Sequence, residues 1–274
     1  MLIEKINAAL VQRAKLEDAD RGSPLRLSNA GKCARQTAYA LHKFEPEPIS
    51  PRRLRTFEFG NLVEEAMLVW LERAGIEVLD AQREVTLDCG GGLKVSGHID
   101  GIVQIDGKDW LLEIKSIATD SFIYAAKDGP DYSYLGQSNA YMAARGLDRT
   151  VFVYCDKNDQ DLCEPVVLAN PVILQQVKDR LHRVAASTPD NLPEREHAPV
   201  AEKGAWRGGK APLGTPSELV TKSGWYKPTG RKILPWQCGY CDFHRHCWGV
   251  GEPEFAKGKP VWVVEESALS GFMK

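Results

Sequence analysis

The chain has 274 residues, enough for one large domain or a domain with an appendage. Its 43% hydrophobic and 26% charged content is that of an ordinary globular protein, and no apolar run reaches the roughly 20 residues a membrane span needs. A formal net charge of -2 excludes a globally basic nucleic-acid binder, so any phosphate contact has to come from local basic patches.

Residues 2–19 read as an amphipathic helix, with Leu2, Ile6, Leu10 and Ala14 at helical spacing. Glu4 and Lys5 inside it rule out a secretory signal, so a cytoplasmic protein without a membrane partner is expected. Gly22, Ser23 and Pro24 break the helix, and Ser28 is placed to cap a second one over about 29–42. Pro46, Pro48 and Pro51 mark a linker. A third helix is predicted over about 52–74, with Phe59, Leu62, Ala66, Val69 and Leu71 as its apolar side. Strand patterns follow at about 76–87, 93–105 and 109–115, then helical ones at 119–127 and 132–145. Residues 151–154 and 166–168 read as strands and 170–187 as a helix. This order predicts an α/β sheet flanked by helices. Residues 188–236 show little periodicity and read as an irregular segment rich in basic and aromatic side chains. The expected organisation is an N-terminal helical region (1–50), a core (51–187) and a C-terminal region (188–274), packed together as one domain.

The segment 97–116, GHIDGIVQIDGKDWLLEIKS, carries the chemistry. Asp106-Gly107 between alternating apolar runs is a strong two-residue hairpin signal. In that register Ile105 faces Lys108, and Asp100 falls opposite Glu113, with Cβ atoms about 4.5–5.5 Å apart. Ile99, Val103, Ile105, Trp110, Leu112 and Ile114 then form the core face, and Asp100, Glu113 and Lys115 share the other. Two opposed carboxylates repel, and a divalent cation with a hard-oxygen preference, Mg²⁺ or Mn²⁺, removes that repulsion. Lys115 beside them could orient a water or stabilise charge on phosphorus. The alternative is a surface hairpin with ordinary charges.

Seven cysteines make a disulfide framework unattractive for a cytosolic chain of this size. Cys89, Cys155 and Cys163 stand singly in strand-like stretches and read as small hydrophobes. Cys238, Cys241 and Cys247 form C-x2-C-x5-C, a spacing that invites a metal or cluster and leaves one ligand unfilled. Cys33 is the natural fourth, closing a loop of about 200 residues. A local zinc site completed by His244 or His246 is the rival.

Taken together, Asp100 followed by Glu113-Ile114-Lys115 resembles the PD-(D/E)XK nuclease superfamily. Gln137 to Tyr141 in GQSNAYMAA, and Gly60, Glu64 and Glu65 in FGNLVEEAM, resemble helical motifs of its RecB-like exonucleases. The cysteine pattern resembles the CRISPR-associated four-cysteine exonucleases and the AddB nuclease domain. The resemblance implies a restriction-endonuclease-like core with a central mixed sheet and an iron–sulfur or metal-bound C-terminal clasp. It implies Asp100, Glu113, Lys115, Gln137 and Tyr141 as catalytic residues, and Glu64, Asp100, Glu113 and Ile114 as ligands of Mg²⁺ or Mn²⁺. It implies Cys33, Cys238, Cys241 and Cys247 as ligands of a [4Fe–4S] cluster, with Zn²⁺ as the alternative. Glu64 stands where many members carry His, and Ile99 where they carry Pro.

Lys203, Arg207, Lys210, Lys222, Lys227, Arg231 and Lys232 lie close together with Glu218 as the opposing acid, interleaved with Trp206, Trp225, Tyr226 and Trp236. Such a mixture suits phosphates and unpaired bases, or an irregular loop packing its aromatics on a core. Arg35, Arg52, Arg53, Lys222 and Arg231 are the candidate DNA contacts. The reading that follows is a metal-dependent DNA exonuclease acting on single strands or free ends, in a bacterium or a phage-infected host. Recombination or CRISPR-adaptation proteins are its expected partners. An endonuclease of the same superfamily and a catalytically decayed DNA-binding module remain open alternatives.

Overall fold

The computed structural model describes residues 1–19, 23–256 and 259–265. The chain divides into two units, one of Met1–His42 and Ile49–Pro193, the other of Lys43–Pro48 and Glu194–Lys274. The division after Pro193 lies close to the expected start of the C-terminal region, but residues 43–48 go with that later unit rather than with the helices around them.

The first unit opens with α1 (Leu2–Ala19), α2 (Ala34–Leu41) and α3 (Pro51–Arg73). Short strands β1 (Val78–Leu79), β2 (Glu84–Asp88), β3 (Lys94–His98) and β4 (Gly101–Ile105) precede the long β5 (Lys108–Ile117). Next come α4 (Thr119–Asp128), α5 (Tyr132–Arg145), β6 (Arg149–Asp156), β7 (Leu162–Cys163), β8 (Val166–Leu168) and α6 (Pro171–Ala185). Local chemistry sets the helix starts. Ser50 Oγ accepts from the Arg53 amide at 3.3 Å, and Pro51 occupies a first-turn position that needs no N–H donor. Asp131 and Asn170 accept first-turn amides of α5 and α6 in the same way. Gly146, in the left-handed region, ends α5.

The central sheet runs β1-β4-β5-β6-β7, with β8 also on β6; β5 and β6 are parallel and the other pairings antiparallel. It is therefore mixed, with α4 and α5 in the parallel crossover. Both faces are covered. On one, Met67 of α3, with Val63, Leu68 and Leu71 beside it, packs on Val103, Leu112, Ile114, Val151 and Cys155. On the other, α5 and α6 bury Tyr141, Met142, Val177 and Leu181 with Ile102, Leu111 and the β2–β3 hairpin.

Three sequence expectations change here. The second helix starts at Ala34, while Ser28 lies in a separate 3-10 turn, Leu27–Asn29, so it caps nothing. Phe59, Leu62 and Val69 are exposed on α3, and Leu54 and Met67 are its buried residues. The predicted strand over 93–105 breaks at Ile99–Asp100, between β3 and β4. Across that break Ile99 joins the α5-side core rather than the face of Val103 and Ile105.

The second unit contains β9 (Val200–Gly208), β10 (Gly224–Ile233), the single turns α7 (Trp236–Gly239) and α8 (His244–Trp248), and strands β11 (Glu254–Ala256), β12 (Lys259–Val261) and β13 (Val263–Val264). Within the segment read as irregular, residues 200–208 and 224–233 thus pair as an antiparallel ribbon extended by β13, and 209–223 form its connecting loop. Its small core is Leu234, Trp248, Val250 and Val264, with Cys238, Cys247 and Trp262 packed against it. Among the described residues no helix is long and apolar enough to cross a membrane.

Candidate active site

The β4–β5 hairpin has the register that its turn residues predict. Ile105 pairs with Lys108 and Gly101 with Leu112 across Asp106-Gly107, both in the left-handed region that such a two-residue turn requires. Asp100 immediately precedes the Gly101–Leu112 pair, and its Oδ2 accepts the Ile114 amide at 2.7 Å. That bond lets an acidic side chain continue the ladder where the strand itself stops.

Lys115 Nζ lies 2.7 Å from Glu113 Oε2 and 3.5 Å from Asp100 Oδ2. One ammonium is therefore shared by two carboxylates from neighbouring strands. The Glu113 side chain is 1% exposed, Asp100 14% and Lys115 19%, so the group opens to solvent through its aspartate and lysine. Burial pushes the Glu113 carboxyl up to about 7; the Lys115 charge opposes this and the Asp100 charge adds to it. For Lys115, burial works against the charge, yet Glu113 and Asp100 outweigh it and hold the amine above the ordinary lysine range. The ammonium stays charged at any physiological pH.

Other elements complete the pocket. Glu64 of α3 is raised by burial and then by the Asp100 charge, with Lys115 pulling it the other way, which puts it in electrostatic reach of both. Its Oε1 accepts from Gln82, a residue held in the left-handed region at φ 55. The turn carrying Gln82 is pinned at Asp80, which pairs with Arg83 and Arg145. From α5, Gln137 Nε2 donates to both Glu113 oxygens at 3.4 Å. Tyr141, one turn on, is buried beneath; burial and then the Glu113 charge raise its phenol, and Gln137 is its hydrogen-bond partner. A Cβ at Gly97 would sit 2.9 Å from the Tyr141 hydroxyl and from Leu27 Cβ, so only glycine fits beneath this tyrosine.

Gln82, Tyr134 and Tyr154 belong to the site and escaped the sequence reading. Lys115 Nζ lies 5.8 Å from the Tyr134 ring centroid, within cation–π range. Tyr154 is in register with Lys115 on β6, and its buried hydroxyl has no hydrogen-bond partner among the described residues. Only the parallel β5–β6 pairing brings Tyr154 there, and no local motif announces it. The Gln82 backbone conformation is equally invisible in a sequence.

The structure thus gathers Glu64, Asp100, Glu113, Lys115, Gln137 and Tyr141. Ile114 can offer only its main chain, since its side chain points into the α3-side core. Three carboxylates against one ammonium leave an excess of hard oxygen donors, a set that suits Mg²⁺ or Mn²⁺. The Lys115 ammonium stands between two of these carboxylates, Asp100 and Glu113. Among the described residues no three His, Cys, Asp or Glu side chains already converge as a metal-holding set.

The DNA candidates fare unevenly. Arg231 is engaged by Glu202 at 2.7 Å and Glu254 at 2.9 Å, so two acids absent from the sequence count neutralise it. Arg35 donates to the Pro193 carbonyl at 2.7 Å and lies over the Tyr39 ring, a structural role within the first unit. Arg53 packs over Phe57. Arg52 and Lys222 are both exposed. Among the cysteine-region histidines, His246 Nε2 is 2.8 Å from the Glu45 carbonyl, whereas the buried Nε2 of His244 has no hydrogen-bond partner among the described residues.

No family model matches the sequence, and no curated protein matches it. Among solved structures, the chain is similar to SSO0001, at 17% identity and a TM-score of 0.47, over 66% of this chain and 86% of that one. It is also similar to LHK-Exo, an alkaline exonuclease from Laribacter hongkongensis, at 18% identity and a TM-score of 0.39, over 59% of this chain and 90% of that one. The same enzyme in complex with dAMP gives 20% identity and a TM-score of 0.39, over 58% and 89%.

Proposed function

We propose that the chain is a divalent-metal-dependent nuclease that hydrolyses DNA phosphodiester bonds, working as an exonuclease on single strands or free ends. The observation that carries this reading is the sharing of one ammonium by Asp100 and Glu113 across a register-locked hairpin, at 3.5 and 2.7 Å. Glu64, Asp100, Glu113 and the main chain at Ile114 would hold Mg²⁺ or Mn²⁺. Such an ion, when bound, polarises a phosphoryl oxygen and makes a bound water acidic.

The protein groups have separate tasks. Lys115, always charged, stabilises negative charge on phosphorus and orients the attacking water. Gln137 holds both Glu113 oxygens in one orientation, and Tyr141 fixes Gln137 from below. Gln82 does the same for Glu64. A decayed module would be expected to have lost part of this set, and Glu64 in place of histidine still supplies an oxygen ligand.

On the C-x2-C-x5-C spacing alone we also propose that Cys238, Cys241 and Cys247 bind a metal centre. The first choice is a [4Fe–4S] cluster completed by Cys33; the second is zinc, completed by His244 or His246. Absorbance near 400 nm in protein purified without oxygen supports the cluster, and stoichiometric zinc without that band supports the alternative. The nuclease reading is tested by incubating end-labelled single-stranded DNA with Mn²⁺: loss of the label as short products supports an exonuclease, and cutting of closed single-stranded circles supports the endonuclease alternative.

A further inference from the structure

We propose that the β9–β10 ribbon of the second unit is a binding arm for single-stranded DNA, with Trp206 as a one-sided stacking platform. The proposal rests on the nuclease reading for its choice of DNA. In the ribbon register Trp206 faces Tyr226, and Gly208 faces Gly224 two positions on. The Trp206 indole lies over that glycine pair. A Cβ at Gly224 would come within 2.8 Å of Trp206 Cζ2, and one at Gly208 within 3.4 Å of Cη2. One face of the ring thus rests on bare backbone, yet the residue remains 52% exposed. A flat aromatic surface supported from behind and open in front suits an unpaired base. Tyr226 beside it carries the Lys203 ammonium 5.0 Å from its ring centroid.

The charges of the ribbon and its connecting loop fit a polyanion. Arg231 and Lys232 are occupied by Glu202, Glu254 and Glu218. Arg207, Lys210, Lys222 and Lys227 are exposed and, among the described residues, have no carboxylate partner. An aromatic surface backed by two glycines, on a ribbon and loop that carry exposed cations without carboxylate partners, is a combination that binds unpaired nucleotides without sequence preference.

The test uses the full chain, without divalent metal, and the fluorescence anisotropy of a labelled 20-nucleotide oligo-dT. Trp206→Leu keeps the glycines covered but cannot stack, and it should weaken binding about five- to hundred-fold. Trp206→Phe should stay within about three-fold of the parent. Lys210→Glu with Lys222→Glu should lower the slope of log affinity against log salt by roughly 1.4. Parental affinity in Trp206→Leu overturns the proposal, as does an equal loss with a duplex of the same length. Equal, equally Trp206-dependent binding of oligo-rU overturns the choice of DNA. Failure to cut DNA with Mn²⁺, with binding intact, sinks the nuclease reading and leaves the arm standing.

Discussion

Replacing Lys115 by methionine should make the stability of this protein more steeply pH-dependent, over a wider pH range, than that of the parent. The substitution keeps the stem and deletes the ammonium 2.7 Å from a Glu113 carboxylate that is 1% exposed. Removing one partner of a buried pair leaves an uncompensated charge, which costs about 3–5 kcal/mol. Burial already lifts Glu113 to about 7 with the lysine present, and the lysine is one of the groups holding it down. Without it the folded-state pKa rises further above the unfolded value. A raised carboxylate means that the native state binds the extra proton, so stability falls as pH rises from the unfolded pKa towards the folded one. At pH 5.5 Glu113 is protonated in the variant, and the loss should shrink to about 1 kcal/mol. At pH 8.5 the full penalty should appear. Urea unfolding of both proteins at the two pH values measures this directly. Equal losses at pH 5.5 and 8.5 would refute the reasoning, because they would mean that Glu113 does not depend on the lysine for its charge.

Further outcomes follow from the same geometry. Because Glu113 titrates near 7 and a ligand must be deprotonated, Mn²⁺ affinity should be nearly flat above pH 8 and fall about ten-fold per unit below pH 6.5; calorimetric titration that finds no change between pH 6 and 8 removes Glu113 from the ligand set. Gly97→Ala should cost about 1–3 kcal/mol through overpacking against Tyr141 and Leu27, and a midpoint equal to the parent's in thermal unfolding would show that the tyrosine is not so confined. Gln82→Ala frees Glu64 and should weaken Mn²⁺ binding several-fold with folding intact, whereas unchanged binding would make Glu64 a bystander.

The functional half of the sheet was legible because its signals are local. An Asp-Gly turn between alternating strands fixes register, and register alone brings Asp100 to Glu113 and Lys115. Gln137 and Tyr141 came from the resemblance to the RecB-like helix motif, and helical spacing puts the two on one face. What could not be read depends on contacts distant in sequence. The break at Ile99–Asp100 interrupts an unbroken apolar alternation, and it is stabilised by the Ile99 amide bonding the Arg83 carbonyl at 3.1 Å. Both faces of β5 are covered, so the acid-bearing face, which the pattern set apart from the core, also lies under a helix layer. On α3, apolar periodicity marked Phe59, Leu62 and Val69, which stand exposed, while packing selected Met67. In the ribbon, bulges between Tyr226 and Lys232 and glycines at both strands erase the two-residue period, so it read as a loop. The acids that take up Arg231 lie 29 residues before it and 23 after it, beyond any local charge count.

The most direct measurement is digestion of end-labelled single-stranded DNA with Mn²⁺ by the parent chain, Asp100→Asn and Glu113→Gln, each first shown to fold by circular dichroism. Shared custody of one cation by these two acids predicts progressive shortening by the parent and at least a hundred-fold slower reaction by either folded variant. A parent chain that leaves every DNA intact, or an Asp100→Asn protein that cuts at the parental rate, would contradict it.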